Sequence, residues 1–301
     1  MITSRLFIKN RRLNFYPYFF IAPFFLVFIV FSVFPTIFTF ITSFTEWNGF
    51  DTMQIIGFGN YLDLFQDPIF IKSVTNTFKL VFVMVPLEVT IALVIAFILN
   101  TYFKKIKHYF ETIYFLPYLT SPIAVGILFS VVFGYRYGLF NWALRALNII
   151  SEDIDWIGNP RYAIAIISIV CLWKAIGYTI VIFIAGLQTI PTELYESARI
   201  DGAGITSVFI KITLPLLKPV ITFVVITTII GDFQLFSEPF MIFNGGGTNN
   251  SAMTMVTYLY QSAFQFGRSG YGAAISYALF FIILVFSQMV LKIMTRSDES
   301  E

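Results

Sequence analysis

An all-α polytopic membrane protein with six transmembrane helices is the fold this sequence predicts, and three observations predict it. Charged residues make up 12% of the 301 positions, 57% are hydrophobic and mean hydropathy is +0.80. A soluble domain carries about 25% charged residues, so this chain lacks the polar groups to cover a water-facing surface. Predominantly apolar runs recur at lengths matching the roughly 20 helical residues that cross about 30 Å of hydrocarbon, the first of them free of charge. They are continuously apolar, whereas the strands of a membrane β-barrel alternate over about ten residues.

The first run spans residues 15–44 and follows Arg5, Lys9, Arg11 and Arg12. A secretory signal has a similar basic start, but its apolar core is only about 7–15 residues and ends at a small-residue cleavage site; this run reads as a retained span. The next five are predicted at about residues 80–99, 113–133, 162–187, 220–243 and 271–291. The membrane region is thus expected over 15–294, between an N-terminal segment (1–14) and a tail (295–301). Pro23, Pro35, Pro86, Pro117, Pro122 and Pro239 fall within the runs. Proline frees backbone groups that need internal partners, which in transporters accompanies cavities; kinked packing alone is the other reading.

Basic residues in short connections orient such a chain, because they are retained on the cytoplasmic side. Four lie at the N-terminus, and Lys104, Lys105 and Lys107 lie in the second connection. Arg199, Lys211 and Lys218 lie in the fourth, and Lys292 and Arg296 near the C-terminus. These twelve face Lys72, Arg136, Arg145, Arg161 and Arg268 on the other side. Both termini and the fourth connection are therefore expected to be cytoplasmic.

The net charge of +2 provides no basic field for nucleic acid, and the single cysteine (Cys171) and histidine (His108) exclude a disulfide framework and His-rich metal centres. Four charges fall within the spans: Glu88, Lys174, Asp232 and Glu238. Buried intramembrane ionisable groups face a partner or a watery path. They line a translocation route, or Lys174 pairs with an acid such as Asp232 to hold helices together.

The fourth connection, residues 188–218, is long for a simple link. Thr192 is placed to cap a short helix, Glu193 and Glu196 suit its positive end, and Gly202 suits a left-handed terminus. A second short helix is expected at about 205–211, closed by Leu214-Pro215. The mixed face of Leu194, Tyr195, Ala198, Ile200 and Arg199 fits docking into a groove of another protein, or lying on lipid.

Here the sequence resembles a known family. Glu196-Ser197-Ala198, Gly202 after three intervening residues, then Ile212 and Leu214-Pro215 are similar to the "EAA" signature of binding-protein-dependent ABC importer permeases, with Ser197 where Ala is usual. Ser43-Phe44-Thr45-Glu46-Trp47-Asn48-Gly49, Asn244-Gly245-Gly246-Gly247-Thr248 and Tyr271-Gly272-Ala273-Ala274-Ile275-Ser276 resemble segments of the maltose-type sugar permeases, Thr248 replacing a usual proline. The resemblance covers about residues 15–291. It implies a MetI-like permease fold in a bacterial-type inner (cytoplasmic) membrane. It further implies that Glu193, Tyr195, Glu196, Ser197, Ala198, Arg199, Asp201, Gly202, Ile212, Leu214 and Pro215 form a coupling loop seated on an ABC ATPase.

The phosphate-binding pattern Gly-x4-Gly-Lys-Ser/Thr is absent from this sequence. The resemblance accordingly implies a non-enzymatic subunit. ATP and Mg are held by two separate ATPase domains, beside a second homologous permease and an extracytoplasmic sugar-binding protein. For sugar contact, Trp173 and Tyr178 offer aromatic faces, and Gln234 and Glu238 offer hydrogen bonds to hydroxyls; Lys174 and Asp232 join them as pathway candidates. A phosphate-bearing solute such as glycerol phosphate would want Arg or Lys in the cavity, where only Lys174 qualifies. A self-contained secondary transporter would give the 188–218 loop no task, and a structural scaffold no use for buried charges.

Overall fold

The structure is a computed structural model that describes residues 16–103 and 107–296. Arg5, Lys9, Arg11, Arg12, Lys104 and Lys105 lie outside the described residues, as do the side chains of Lys107, His108 and Arg296. Five described helices are long and apolar enough to cross a bilayer: Tyr18–Thr42, Pro68–Tyr102, Pro160–Leu187, Ile205–Ile242 and Ser269–Thr295. The expected third span is instead a bent pair, Tyr109–Leu119 and Pro122–Val132, turned by 89°, and the two halves together have the length and apolarity of a sixth crossing. Proline causes the bend. Ser121 precedes Pro122 and is driven to ψ 127°, Thr120 is extended at ψ 148°, and Pro117 sits in a tight 3-10 turn.

Two other prolines are absorbed without a break. Pro35 and Pro215 lack the N–H that residue i−4 would receive. Each follows a π-helical turn, Ile29–Val33 and Phe209–Thr213, in which the register slips by one residue: Phe34 donates to the Ile29 carbonyl and Leu214 to that of Phe209. Pro215 therefore does not close a separate short helix, as expected from sequence. Ile205–Val208, the π turn and Leu214–Phe233 are one continuous rod, interrupted only at Gln234–Phe236 before Ser237–Ile242.

The second, fourth and fifth spans form the centre of the bundle, where Ala92, Ala96, Ile180, Phe183, Leu187 and Leu217 are fully packed. The sixth span closes on them through Phe286, whose ring meets those of Phe78, Phe82 and Phe233 at 5.5–5.8 Å. The first span touches the sixth near one end, where the Tyr277 hydroxyl donates to the Thr36 carbonyl (2.6 Å) and the Phe40 and Tyr277 rings are 5.0 Å apart. Elsewhere it is bare, with Phe19 79% exposed. Such an apolar surface is stable only against lipid or another membrane helix.

At the end opposite the 188–218 loop, irregular chain is held by amide side chains, since buried carbonyls without donors are costly. Asn60 donates to the carbonyls of Ser43 and Thr45 beside a small hairpin pairing Thr45–Glu46 with Gln54–Ile55. Asn76 donates to Asn250 and Met253, and Asn141 to Tyr135 and Ile154, while the Trp156 indole donates back to Asn141.

Asp67 caps the second span by accepting from the Ile69 N–H (2.8 Å), and it also receives the hydroxyls of Tyr258 and Tyr271. Partial burial pushes its carboxyl up, but these hydrogen bonds prevail and hold it below the usual carboxylate range. Burial, and then Asp67 itself, push the Tyr258 hydroxyl up to about 12. A carboxyl depressed in the folded state adds stability above its unfolded pKa of about 3.9, and that stability is lost as pH falls through the folded value. Asp67→Asn is therefore expected to flatten the acid limb of thermal stability measured in detergent between about pH 5 and pH 2. An unchanged acid limb contradicts the clamp.

Candidate functional site

Two groups of sequence-nominated residues take shape, one at each end of the Ile205–Phe233 rod. The first is the loop helix Thr192–Ile200. Pro191 occupies its N-cap at φ −56°, ψ 131°, so Thr192, expected as the cap, is the first helical residue and makes no capping bond. Gly202 ends the helix at φ +76°, the left-handed conformation that the sequence called for, and the Ala203 N–H returns to the Ala198 carbonyl (2.9 Å).

Tyr195 and Ala198, expected on an outward face, are half-buried. The Tyr195 hydroxyl meets Thr213 Oγ1 at 3.2 Å and its ring packs on the core made by the second, fourth and fifth spans. The helix is thereby tied to the start of the rod, where the Phe209 and Phe97 rings meet at 4.7 Å, tilted by 57°. The outward face consists of Glu193, Leu194, Glu196, Ser197, Arg199, Ile200 and Asp201, with Ile200 85% exposed. Ile212 and Leu214 are half-buried in the rod, and Pro215 is exposed on it. A side chain built at Gly204 would touch nothing, so the chain's own packing does not require a glycine there.

The second group lies inside the bundle. Lys174 on the fourth span bonds Glu238 at 2.7 Å, with both side chains largely buried. Asp232, the expected partner, is not the one Lys174 takes: the helix breaks between Asp232 and Glu238, and the short Ser237–Ile242 segment turns Glu238 to the lysine. Asp232 is 6% exposed, and among the described residues its Oδ2 is buried without a hydrogen-bond partner. Glu88 on the second span is buried and accepts from the Thr179 hydroxyl at 2.5 Å. All four ionisable groups lie within electrostatic reach of the buried Cys171 thiol.

The aromatic candidates stand beside this cluster on the same helix. Tyr178, one turn from Lys174, stacks on Tyr118 at 4.7 Å with the rings nearly parallel, and Trp173 meets the edge of Phe129 at 5.4 Å. Both remain more than a third exposed. Gln234 does not join them. It lines a groove of about 450 Å³ between the fifth and sixth spans with Ser276, Ser287 and Gln288. Sequence reasoning overlooked Thr179 and Tyr118: neither stands out in an aromatic, Thr-rich chain, and only the packing reveals their partners.

The bent third span reaches the site through Gly177. A Cβ there would lie 1.7 Å from the Tyr114 carbonyl oxygen, so only glycine lets the first half of the bent span seat this closely against the fourth span, beside Lys174 and Tyr178.

Comparison with known proteins gives one family: the model of the "binding-protein-dependent transport system inner membrane component" matches residues 88–294. A lactose transport system permease protein of Rhizobium radiobacter is 38% identical over 237 residues, 78% of this chain and 79% of that protein. An arabinooligosaccharides transport system permease protein of Bacillus subtilis is 37% identical over 242 residues, 80% of this chain and 76% of that protein. The fold is shared with a chain of a bacterial alginate ABC transporter, solved in complex with an alginate pentasaccharide-bound periplasmic protein. The TM-score is 0.82 at 22% identity, covering 94% of this chain and 95% of that one.

Gly177→Ala should overpack the contact with Tyr114 and cost about 1–3 kcal/mol, read as a lower unfolding midpoint in detergent. Gly231→Ala, which meets open space, should leave the midpoint unchanged or raise it. Equal midpoints for the two variants contradict the close approach.

Proposed function

The chain belongs to the family of binding-protein-dependent transport system inner membrane components, and from that premise we propose that it forms half of the translocation pathway of an ATP-driven importer for a sugar or oligosaccharide. The observation that carries this reading is the anchored loop helix. Thr192–Ile200 is fastened to the core by Tyr195 yet presents Leu194 and Ile200 outward, beside the open surface at Gly202 and Gly204. A helix fixed on one face and apolar on the other suits a groove in a partner, here an ABC ATPase subunit. ATP and Mg are held by that partner and not by this chain.

The twelve basic residues on one side support a cytoplasmic loop and cytoplasmic termini. The opposite end, held together by amide bonds, then faces an extracytoplasmic sugar-binding protein. The groove with Gln234 and Gln288 supports a second permease as the other half of the pathway: carboxamides at membrane depth gain little from lipid and much from a protein partner or watery path.

A sugar is favoured by the relatives, whose names specify lactose and arabinooligosaccharides, and by the aromatic faces of Trp173 and Tyr178 near buried polar groups. A phosphate-bearing solute is disfavoured, because Lys174 is already engaged by Glu238. Nucleotide-driven closure of the ATPases would move the loop as a rigid body and carry the bundle between its two access states.

Affinity purification of the tagged chain from membranes is expected to recover an ABC ATPase and a second permease. Recovery of the permease without any ATPase contradicts the reading. Gly202→Asp projects a charged side chain from the loop into open surface. It should abolish substrate-stimulated ATP hydrolysis by the assembled complex while membrane insertion persists; unchanged stimulation rejects the loop as the docking element.

A further inference from the structure

The intramembrane charges do not balance. Glu88, Asp232 and Glu238 are each more than nine-tenths buried, and Lys174 is the one cation in contact with any of them among the described residues. Glu88 is satisfied by Thr179, and Glu238 by Lys174. Among the described residues Asp232 Oδ2 has no partner. A buried carboxyl oxygen in that situation is tolerable only while the group carries a proton or until a cation reaches it.

The two acids flanking the break belong to different rigid pieces. Asp232 is in the last turn of the Ile205–Phe233 rod, whose far end is tied to the loop helix through Thr213 and Tyr195. At 1.5 Å per residue the rod spans on the order of 40 Å. Glu238 is in Ser237–Ile242, which packs on Pro122–Val132 so closely that a Cβ at Gly126 would lie 2.5 Å from that of Met241. Between them Gln234–Phe236 is non-helical, with Phe236 at φ −135°, ψ −61°. A few such residues are what a hinge requires. A displacement of the rod therefore moves Asp232 relative to Lys174 and leaves Glu238 in place.

We propose that Lys174 is a gating residue that exchanges partners: it is bound to Glu238 in the conformation described here and passes to Asp232 when the rod moves. The exchange balances within the cluster. The ammonium leaves Glu238 for Asp232, the proton on Asp232 passes to Glu238, and each state holds one ion pair and one neutral acid between these three residues, with Glu88, bonded to Thr179, taking no part. The inference rests on the importer reading, because it takes the loop as the place where force enters.

The test uses the complete complex in lipid nanodiscs, with spin labels on cysteines introduced at exposed Ile169 on the fourth span and Phe223 on the rod; native Cys171 is buried. Distances are read by pulsed electron resonance with and without ATP and Mg. ATP is expected to shift the wild-type distance. In Asp232→Asn, which offers the lysine no charge, the shift should vanish. In Glu238→Gln, where only Asp232 can receive the lysine, the ATP distance should appear without ATP, and Glu238→Asp should restore the wild-type response. An Asp232→Asn complex that shifts like wild type overturns the exchange, as does a Glu238→Gln complex resting at the wild-type distance. A wild-type complex that assembles but does not respond to ATP overturns the importer reading itself.

Discussion

Hydrocarbon offers no hydrogen bonds, and each departure of this structure from a straight helix is arranged around that constraint. A helix satisfies its own backbone, so most of the chain needs no further explanation at membrane depth. At two of the prolines that remove an N–H, Pro35 and Pro215, a π turn just upstream takes up the slip, while Pro23, Pro86 and Pro219 sit inside helices without one. Where the helix actually breaks, protein covers the gap. Just before the 119–122 bend the Tyr114 carbonyl lies against the fourth span at Gly177, and the 234–236 break is covered by Thr254, whose hydroxyl donates to the Leu235 carbonyl (2.8 Å). Breaks kept at such cost mark places where a straight anchor would not serve.

The same constraint explains the internal division of labour. The loop end is fastened by apolar packing of Phe97, Phe209, Tyr195 and Leu217, supplemented by one hydroxyl contact. The opposite end is fastened by directional bonds from Asn60, Asn76 and Asn141 to loop carbonyls. Apolar contacts permit sliding and rotation with little loss, whereas bidentate amide clips hold one geometry. The end suited to moving is thus the one carrying the outward-facing helix, and the end suited to staying rigid carries the irregular loops.

Much of this was legible in the sequence. Long, predominantly apolar runs locate the spans because a membrane helix must be apolar over most of its length, and the left-handed turn at Gly202 follows from glycine's freedom at positive φ. What the sequence hides is pairing. Composition shows that Lys174 needs an acid but not that a helix break aims Glu238 at it and leaves Asp232 Oδ2 without a partner among the described residues. It shows an amphipathic stretch around Tyr195 but not that its hydroxyl turns inward to Thr213. Two prolines in the third span announce a kink, but neither its 89° angle nor the close seat of the preceding helix, whose Tyr114 carbonyl lies where a side chain at Gly177 would be. Leu214-Pro215 reads as a stop, and the π turn that lets the helix continue has no local signature.

The continuity of that helix decides how the two ends of the molecule communicate. Had Pro215 ended the loop as a separate element, any displacement there would have been dissipated in a flexible joint before reaching the bundle. Because Phe209–Thr213 preserves helical hydrogen bonding through the proline, the rod is unbroken from Ile205 to Phe233. Its first discontinuity lies beside the buried charges. A rigid element transmits motion to its first compliant point, and the residues with most to gain or lose from a small displacement are charges without water. The acid without a partner stands immediately before that point, and the acid with one stands just after it.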